Sequence, residues 1–150
     1  MSNVISYKIN TATYIDIYNH LFLCNNQFIP PLNEKVILEE YALKLQKLSI
    51  TFEAWNETKL IGLIASYFND SNQSNGFISN VSVLTDFSKT GIASKLLELC
   101  KKYALKNNFR SITLNVDCKN ISAHNLYLKN GFKIINSMNN FNILVYNLNV

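Results

Sequence analysis

Residues 83–97, Val-Leu-Thr-Asp-Phe-Ser-Lys-Thr-Gly-Ile-Ala-Ser-Lys-Leu-Leu, carry the most specific chemistry in the chain. They read as a strand end, a short polar loop and the first turns of a helix. The helix begins at Gly91, followed by the small residues Ala93 and Ser94. A helix start leaves backbone N–H groups without partners and sets the positive end of the dipole behind them. That is a binding place for a phosphate or pyrophosphate. Gly91 is followed by Ile92 rather than the Lys-Ser/Thr of a nucleotide-binding P-loop, which argues against a kinase-type site. A second stretch, residues 120–132, runs Asn-Ile-Ser-Ala-His-Asn-Leu-Tyr-Leu-Lys-Asn-Gly-Phe. Asn120 suits a helix N-cap and Gly131 a left-handed C-terminal stop. Metal chemistry finds no support. Cys24, Cys100 and Cys118 are widely spaced without a C-x-x-C pair, and His20 and His124 complete no ligand set. Neither disulfides nor a catalytic cysteine is implied. Cys100, on an apolar helix face, and Cys118, at a strand end, read as small hydrophobes.

Positioning these two stretches takes a series of elements. Residues 4–9 read as a strand. Asn10 or Thr11 then caps a helix over 13–24, with Ile15, Tyr18, Leu21 and Phe22 at helical spacing. Phe28-Ile29-Pro30-Pro31 forms an extended apolar elbow, since proline fixes its own φ and biases its predecessor. Asn33 caps a second helix to about Leu48. Residues 49–55 and 60–68 pair across a turn at 56–59, and Gly62 marks a bulge or close packing. After the polar loop 69–75, residues 76–84 form a strand. Phe77, Val81 and Val83 are expected on one face, Ile78 and Asn80 on the other. A helix to about Asn107 turns Ile92, Leu96, Leu99, Cys100 and Tyr103 inward. The strand 111–116, the helix from Asn120 and a final hairpin complete the order β-α-α-β-β-β-α-β-α-β-β. This predicts an α+β fold with a mixed sheet, the unit from 76 to 116 crossing over between parallel strands.

The 150 residues suggest a single domain, 1–150. The net charge of +4 suits an anionic small molecule. Arg110 is the only arginine and the lysines are scattered, which argues against nucleic acid. No apolar run is long enough for a membrane span or signal peptide, so a cytoplasmic protein is expected.

Together the two stretches resemble the GCN5-related N-acetyltransferases, the GNAT superfamily. The family's phosphate loop is Arg or Gln, two residues, Gly, one residue, Gly or Ala. Here it stands as Ser88-Lys89-Thr90-Gly91-Ile92-Ala93. Its later motif, an Asn, a helix with Ala and Tyr, and a closing Gly-Phe, matches Asn120, Ala123, Tyr127, Gly131 and Phe132. The resemblance implies a three-layer fold, with a mostly antiparallel sheet and helices on both faces. It implies acetyl-CoA as co-substrate, no metal, and acetyl transfer to a primary amine by direct attack in a ternary complex. Val81 and Val83 would offer backbone to the pantetheine arm, and Ser88, Lys89, Thr90, Gly91, Ile92, Ala93 and Ser94 would cradle the pyrophosphate. Asn120 would contact the pantetheine or order the acetyl group, and Tyr127 would protonate the departing thiolate. A phenol of pKa about 10 can do so for a thiol of about 8.5. Ser88 departs from the pattern: a long donor is lost, and Lys89, Lys95 or a backbone N–H takes its place.

The acceptor half is less defined. An attacking amine must be neutral, yet residues 76–81 contain no carboxylate where some family members carry a base. Glu53, Asp70 or a water held by Ser79 or Asn80 are the candidates. The absence favours an acceptor amine of modest pKa, such as an amino sugar or an α-amino group. Phe28, Ile29, Pro30 and Pro31 would form the acceptor rim, with Trp55, Tyr67, Asn69, Asp70 and Asn80 as liners. Other readings are a protein N-acetyltransferase, a different acyl transfer, and a CoA-binding regulatory module without catalysis. The chain is expected to be a monomer or a homodimer.

Overall fold

Four helices lie on a seven-stranded sheet, in a computed structural model that describes residues 4–69 and 74–148. The strands are β1 (Ile5–Ile9), β2 (Ile50–Asn56), β3 (Lys59–Tyr67), β4 (Asn75–Val83), β5 (Ser111–Asp117), β6 (Lys133–Ser137) and β7 (Phe141–Asn147). The helices are α1 (Tyr14–Cys24), α2 (Leu38–Leu48), α3 (Ile92–Lys106) and α4 (Ile121–Lys129). Their order along the chain is the one expected from the sequence. Across the sheet the order is β1-β2-β3-β4-β5-β7-β6. Every neighbouring pair is antiparallel except β4 and β5, joined by the α3 crossover. Among the described residues no helix is long and apolar enough to cross a membrane.

The sheet separates two cores. On one face Leu96, Leu97 and Cys100 of α3 and Tyr127 of α4 pack on Phe52, Ile64, Ile112 and Leu114. On the other, Ile17 and Leu21 of α1 and Leu38, Ala42 and Leu45 of α2 cover Trp55, Leu63 and Ala65. Gly62 sets how closely α3 approaches. A methyl there would lie 3.0 Å from Ile92 Cγ2 and 3.2 Å from Leu96 Cδ1. Beside it the β2–β3 register slips by one residue, so both sequence expectations for Gly62, bulge and close packing, are met.

The structure corrects several local expectations. Thr13, not Asn10 or Thr11, caps α1: its hydroxyl accepts from Asp16 N–H and Asp16 returns a bond to Thr13 N–H, a reciprocal capping box. Asn10 is left-handed and its side chain receives Thr51 N–H, while Thr11 binds Glu53. The buried stripe of α1 is Ile17, His20, Leu21 and Cys24, leaving Ile15 and Phe22 exposed. A helix apolar nearly all round offers more than one stripe, and spacing alone does not choose between them. Asn33 caps nothing. It sits in a 3-10 turn (Leu32–Glu34), where its N–H donates to Asn25 Oδ1, and α2 starts later, at Leu38. Cys118 is exposed rather than packed.

The largest correction is in β4. Ala65 pairs with Asn80 but Ser66 with Ile78, so Ser79 is an extra residue in the ladder. A bulge reverses the alternation beyond it. Ile78 therefore shares the α3 face with Val81 and Val83, while Asn80 and Ser82 face α1. The expected grouping of Ile78 with Asn80 does not hold.

Candidate active site

The bulge coincides with a parting of strands. β4 and β5 pair from Asn75–Ser111 to Ile78–Leu114 and no further, although β4 continues to Val83 and β5 to Asp117. Past that point the β5-facing edge of β4 has no ladder partner, and its backbone groups are free to bond something else. The gap is the middle of a cleft of about 810 Å³. One end of the cleft is formed by the start of α3 and one wall by α4. The other end is the elbow between α1 and α2.

At the α3 end the loop after β4 is shaped by its own hydrogen bonds. Ser88 Oγ donates to Thr85 O at 2.8 Å and Thr90 Oγ1 to Phe87 O at 2.5 Å. Lys89 has φ 60° and Gly91 φ 86°. A Cβ at Gly91 would meet nothing within 4 Å, so glycine is needed for the left-handed turn, not for space. Gly91 thereby becomes the N-cap, and the amides of Ile92, Ala93 and Ser94 begin the helix beside the cleft. Lysines 35, 89 and 129 line the cleft against one carboxylate, Asp117. The donor set is thus backbone N–H plus ammonium, the set that fits an extended polyanion such as the phosphates of a CoA. Ser94 Oγ is already engaged, receiving Asn130 Nδ2 at 3.1 Å.

On the α4 wall, Asn120 caps the helix, its Oδ1 accepting from Ala123 N–H at 3.1 Å. The Asn120 carbonyl receives His124 Nδ1–H at 2.9 Å, and His124 Nε2 accepts from Asn142 Nδ2 at 2.9 Å. Tyr127 lies one turn further along. It is 8% exposed, packs on Phe132 with ring centroids 5.9 Å apart, and lines the cleft. Burial raises its pKa, so the phenol is protonated at neutral pH and is a weaker acid than a free tyrosine.

At the elbow end the lining includes Phe28, Ile29, Pro30, Leu32 and Lys35, and below them Ser79, Asn80 and Ser82 of β4. Phe28 packs against both cores and so ties the elbow to the sheet. The Tyr41 and Ser79 hydroxyls lie 2.5 Å apart at the bulge, and burial pushes Tyr41 up to about 12.

Of the residues expected from sequence, the cleft brings together Val81, Val83, Ser88, Lys89, Gly91, Ile92, Ala93, Ser94, Asn120, Tyr127, Phe28, Ile29, Pro30 and Asn80. It leaves out others. Thr90 is turned back onto Phe87. Tyr67 and Asn69 are not among the lining residues, and Lys44 sits over the Tyr67 ring at 5.6 Å. Trp55 donates its Nε1–H to Glu53 in the second core. Asp70 falls outside the described residues. Glu53, a candidate base, is fully buried away from the cleft. It accepts from Thr11 N–H and Oγ1, Ala12 N–H, Thr51 Oγ1 and Trp55 Nε1, and so ties the β1–α1 loop to the sheet. Sequence reasoning missed Ser82 and the end of β5, Leu114 to Asp117. The first needed the bulge. The second had a readable signal, since β5 was expected parallel to β4.

The Acetyltransferase (GNAT) family model matches residues 14–132. Solved structures agree on the fold. An acetyltransferase of the GNAT family from Desulfovibrio desulfuricans superposes with a TM-score of 0.82 at 10% identity, over 97% of this chain and 100% of that one. The PaiA N-acetyltransferase of Thermoplasma acidophilum, solved with coenzyme A, gives 0.75 at 16% identity over 95% and 99%. The ribosomal-protein-S18-alanine N-acetyltransferase of Escherichia coli gives 0.76 at 15% identity over 97% and 96%. With a family match over most of its length, a mixed sheet parted between β4 and β5, and a left-handed glycine opening α3, the chain belongs to the GNAT family of acyl-CoA-dependent acetyltransferases.

Proposed function

We propose that the protein transfers an acetyl group from acetyl-CoA to the primary amine of a small molecule, with both substrates held in the cleft together. The observation that carries this reading is the parting of β4 and β5 after Ile78 and Leu114, which joins the start of α3 to the elbow through one channel. Bound there, acetyl-CoA supplies an activated acyl group and a thiol leaving group. The chain's own residues do the rest. The amides of Ile92, Ala93 and Ser94 and the Lys89 ammonium hold the pyrophosphate. An anion at an exposed helix start gains about 0.3–1 kcal/mol from the dipole, so Lys89 matters where Ser88 has replaced a long donor. The free edge of β4 at Val81 and Val83 holds the pantetheine arm. Asn120 fixes the start of α4 and, through it, the place of Tyr127. Tyr127 gives its proton to the departing thiolate and recovers it from solvent.

On the acceptor side the described lining residues include no carboxylate nearer the elbow than Asp117, at the end of β5. The amine therefore arrives already neutral or loses its proton to water, which favours an acceptor of modest pKa. The test is thiol release from acetyl-CoA with a panel that includes glucosamine and an alanyl tripeptide. Turnover of the sugar above the peptide supports the reading. The reverse order would make this a protein N-acetyltransferase. Binding of acetyl-CoA without turnover of any amine would make it a regulatory CoA-binding module.

A further inference from the structure

A directional chain of hydrogen bonds ends beneath the acceptor side of the cleft. His20 Nδ1 lies 3.0 Å from the Leu60 carbonyl oxygen, which can only accept. The ring proton is therefore on Nδ1, and Nε2 is an acceptor. Ser82 Oγ, 2.8 Å from Nε2, is the nearer donor to it, with the Cys24 thiol further off at 3.7 Å. That leaves the Ser82 oxygen to accept from Asn80 Nδ2 at 2.9 Å. The amide is thus oriented with its nitrogen toward Ser82, and Oδ1 is left over. His20 is 1% exposed and Asn80 3%, so bulk water does not compete for these bonds. Burial holds His20 at about 4, neutral at working pH, so the chain keeps its direction.

Asn80 Oδ1 is buried and has no hydrogen-bond partner among the described residues. An unpaired buried acceptor is costly, and native proteins leave few. Asn80 is also a lining residue of the cleft, beside Ser79 and Ser82. A group entering the cleft is the partner that would relieve it. The polarity matters for the chemistry. An oxygen accepts an N–H of the amine and leaves the nitrogen lone pair free to attack. A reversed amide would donate to that same lone pair and block it.

Resting on the acetyl-transfer reading above, we propose that Asn80 Oδ1 receives an N–H of the acceptor amine, with Ser82 and His20 as positioning residues that keep the oxygen turned toward it. Asn80 then selects for acceptors with an N–H to give, and the His20–Ser82 pair sets its orientation from outside the cleft.

The test is a double-variant cycle, followed by thiol release with glucosamine and an alanyl tripeptide as acceptors and by calorimetry with acetyl-CoA. Ser82→Ala lets the Asn80 amide turn and should raise the amine KM by about tenfold, the worth of one hydrogen bond. Acetyl-CoA affinity should stay within about twofold. In the Asn80→Asp background both side-chain oxygens accept, so adding Ser82→Ala should cost less than about twofold. Equal losses in both backgrounds would overturn the proposal, since they would mean a structural role for Ser82. So would unchanged amine kinetics in Asn80→Leu, which would leave Oδ1 to a trapped water, or a loss confined to acetyl-CoA affinity. The nitrogen spectrum of His20 decides the relay without any acceptor: a proton on Nδ1 supports it, a proton on Nε2 overturns it. Acetyl-CoA binding with neither amine acetylated would count against the substrate reading, and the His20 tautomer would still judge the relay.

Discussion

In the proposed reaction Tyr127 is a helix side chain that serves as the proton donor. α4 begins at the Asn120 cap, so its register fixes Tyr127 on the cleft wall, and burial among Phe132 and the α3 core keeps the phenol protonated. Tyr127→Phe removes the proton and leaves the packing. The expected outcome is a loss of about a hundredfold in kcat, read by thiol release, with acetyl-CoA affinity by calorimetry unchanged. Lys89, left-handed in the loop, exposed and lining the cleft, is the residue proposed to hold the other substrate. Lys89→Glu should raise the acetyl-CoA KM several-fold without altering the amine KM; an unchanged value would remove Lys89 from the phosphate contacts. Gly91, Asn120 and Gly131 were legible in the sequence because their conformations follow local rules, a left-handed φ and a helix cap, whereas Tyr127 was reached through the family resemblance. Glu53 was not legible. Its donors come from residues 40 or so positions away and from neighbours on its own strand, and no spacing rule distinguishes a buried tie of this kind from a catalytic carboxylate.

At the scale of elements the central device is β4. One extra residue, Ser79, turns Ile78 toward α3 and Asn80 toward α1, and from the same point β5 departs. The element order was readable because apolar runs and turn residues mark where each element lies. The faces of β4 and of α1 were not, because a bulge breaks the two-residue period and an all-round apolar helix has no preferred stripe. Gly62, paired with Val83 of β4, belongs to the same device on the α3 face of the sheet. Ile92, the first residue of α3, and Leu96 one turn later both rest on it. Gly62→Val should push α3 away from the sheet. The expected result is a loss of about 1–3 kcal/mol in urea unfolding together with weaker acetyl-CoA binding, because the displaced first turn carries the amides proposed to hold the phosphates. Loss of stability with full affinity would separate the packing of α3 from its role at the site.

Across the whole molecule, the two cores are linked by buried polar groups that depend on neutrality. His20 joins α1 to β3 through Leu60 and to β4 through Ser82. Burial depresses its pKa from 6.5 to about 4. Between these values the unfolded chain binds the proton and the folded protein does not, so stability falls as pH drops from about 6.5 toward 4. The loss should amount to about 3 kcal/mol, seen as a falling urea midpoint over that window and weakened in His20→Gln. A midpoint flat across the window in the wild type would mean that His20 is already charged in the fold. The same molecule, taken as a transferase, gives a sharper test: an amide nitrogen–proton spectrum titrated with acetyl-CoA. If the gap between β4 and β5 is the acyl-CoA site, the largest shifts fall on Val81, Val83, Lys89, Ile92, Ala93 and Ser94, while the amides around Glu53 stay still. Shifts centred elsewhere, or none at saturating acetyl-CoA, would contradict it.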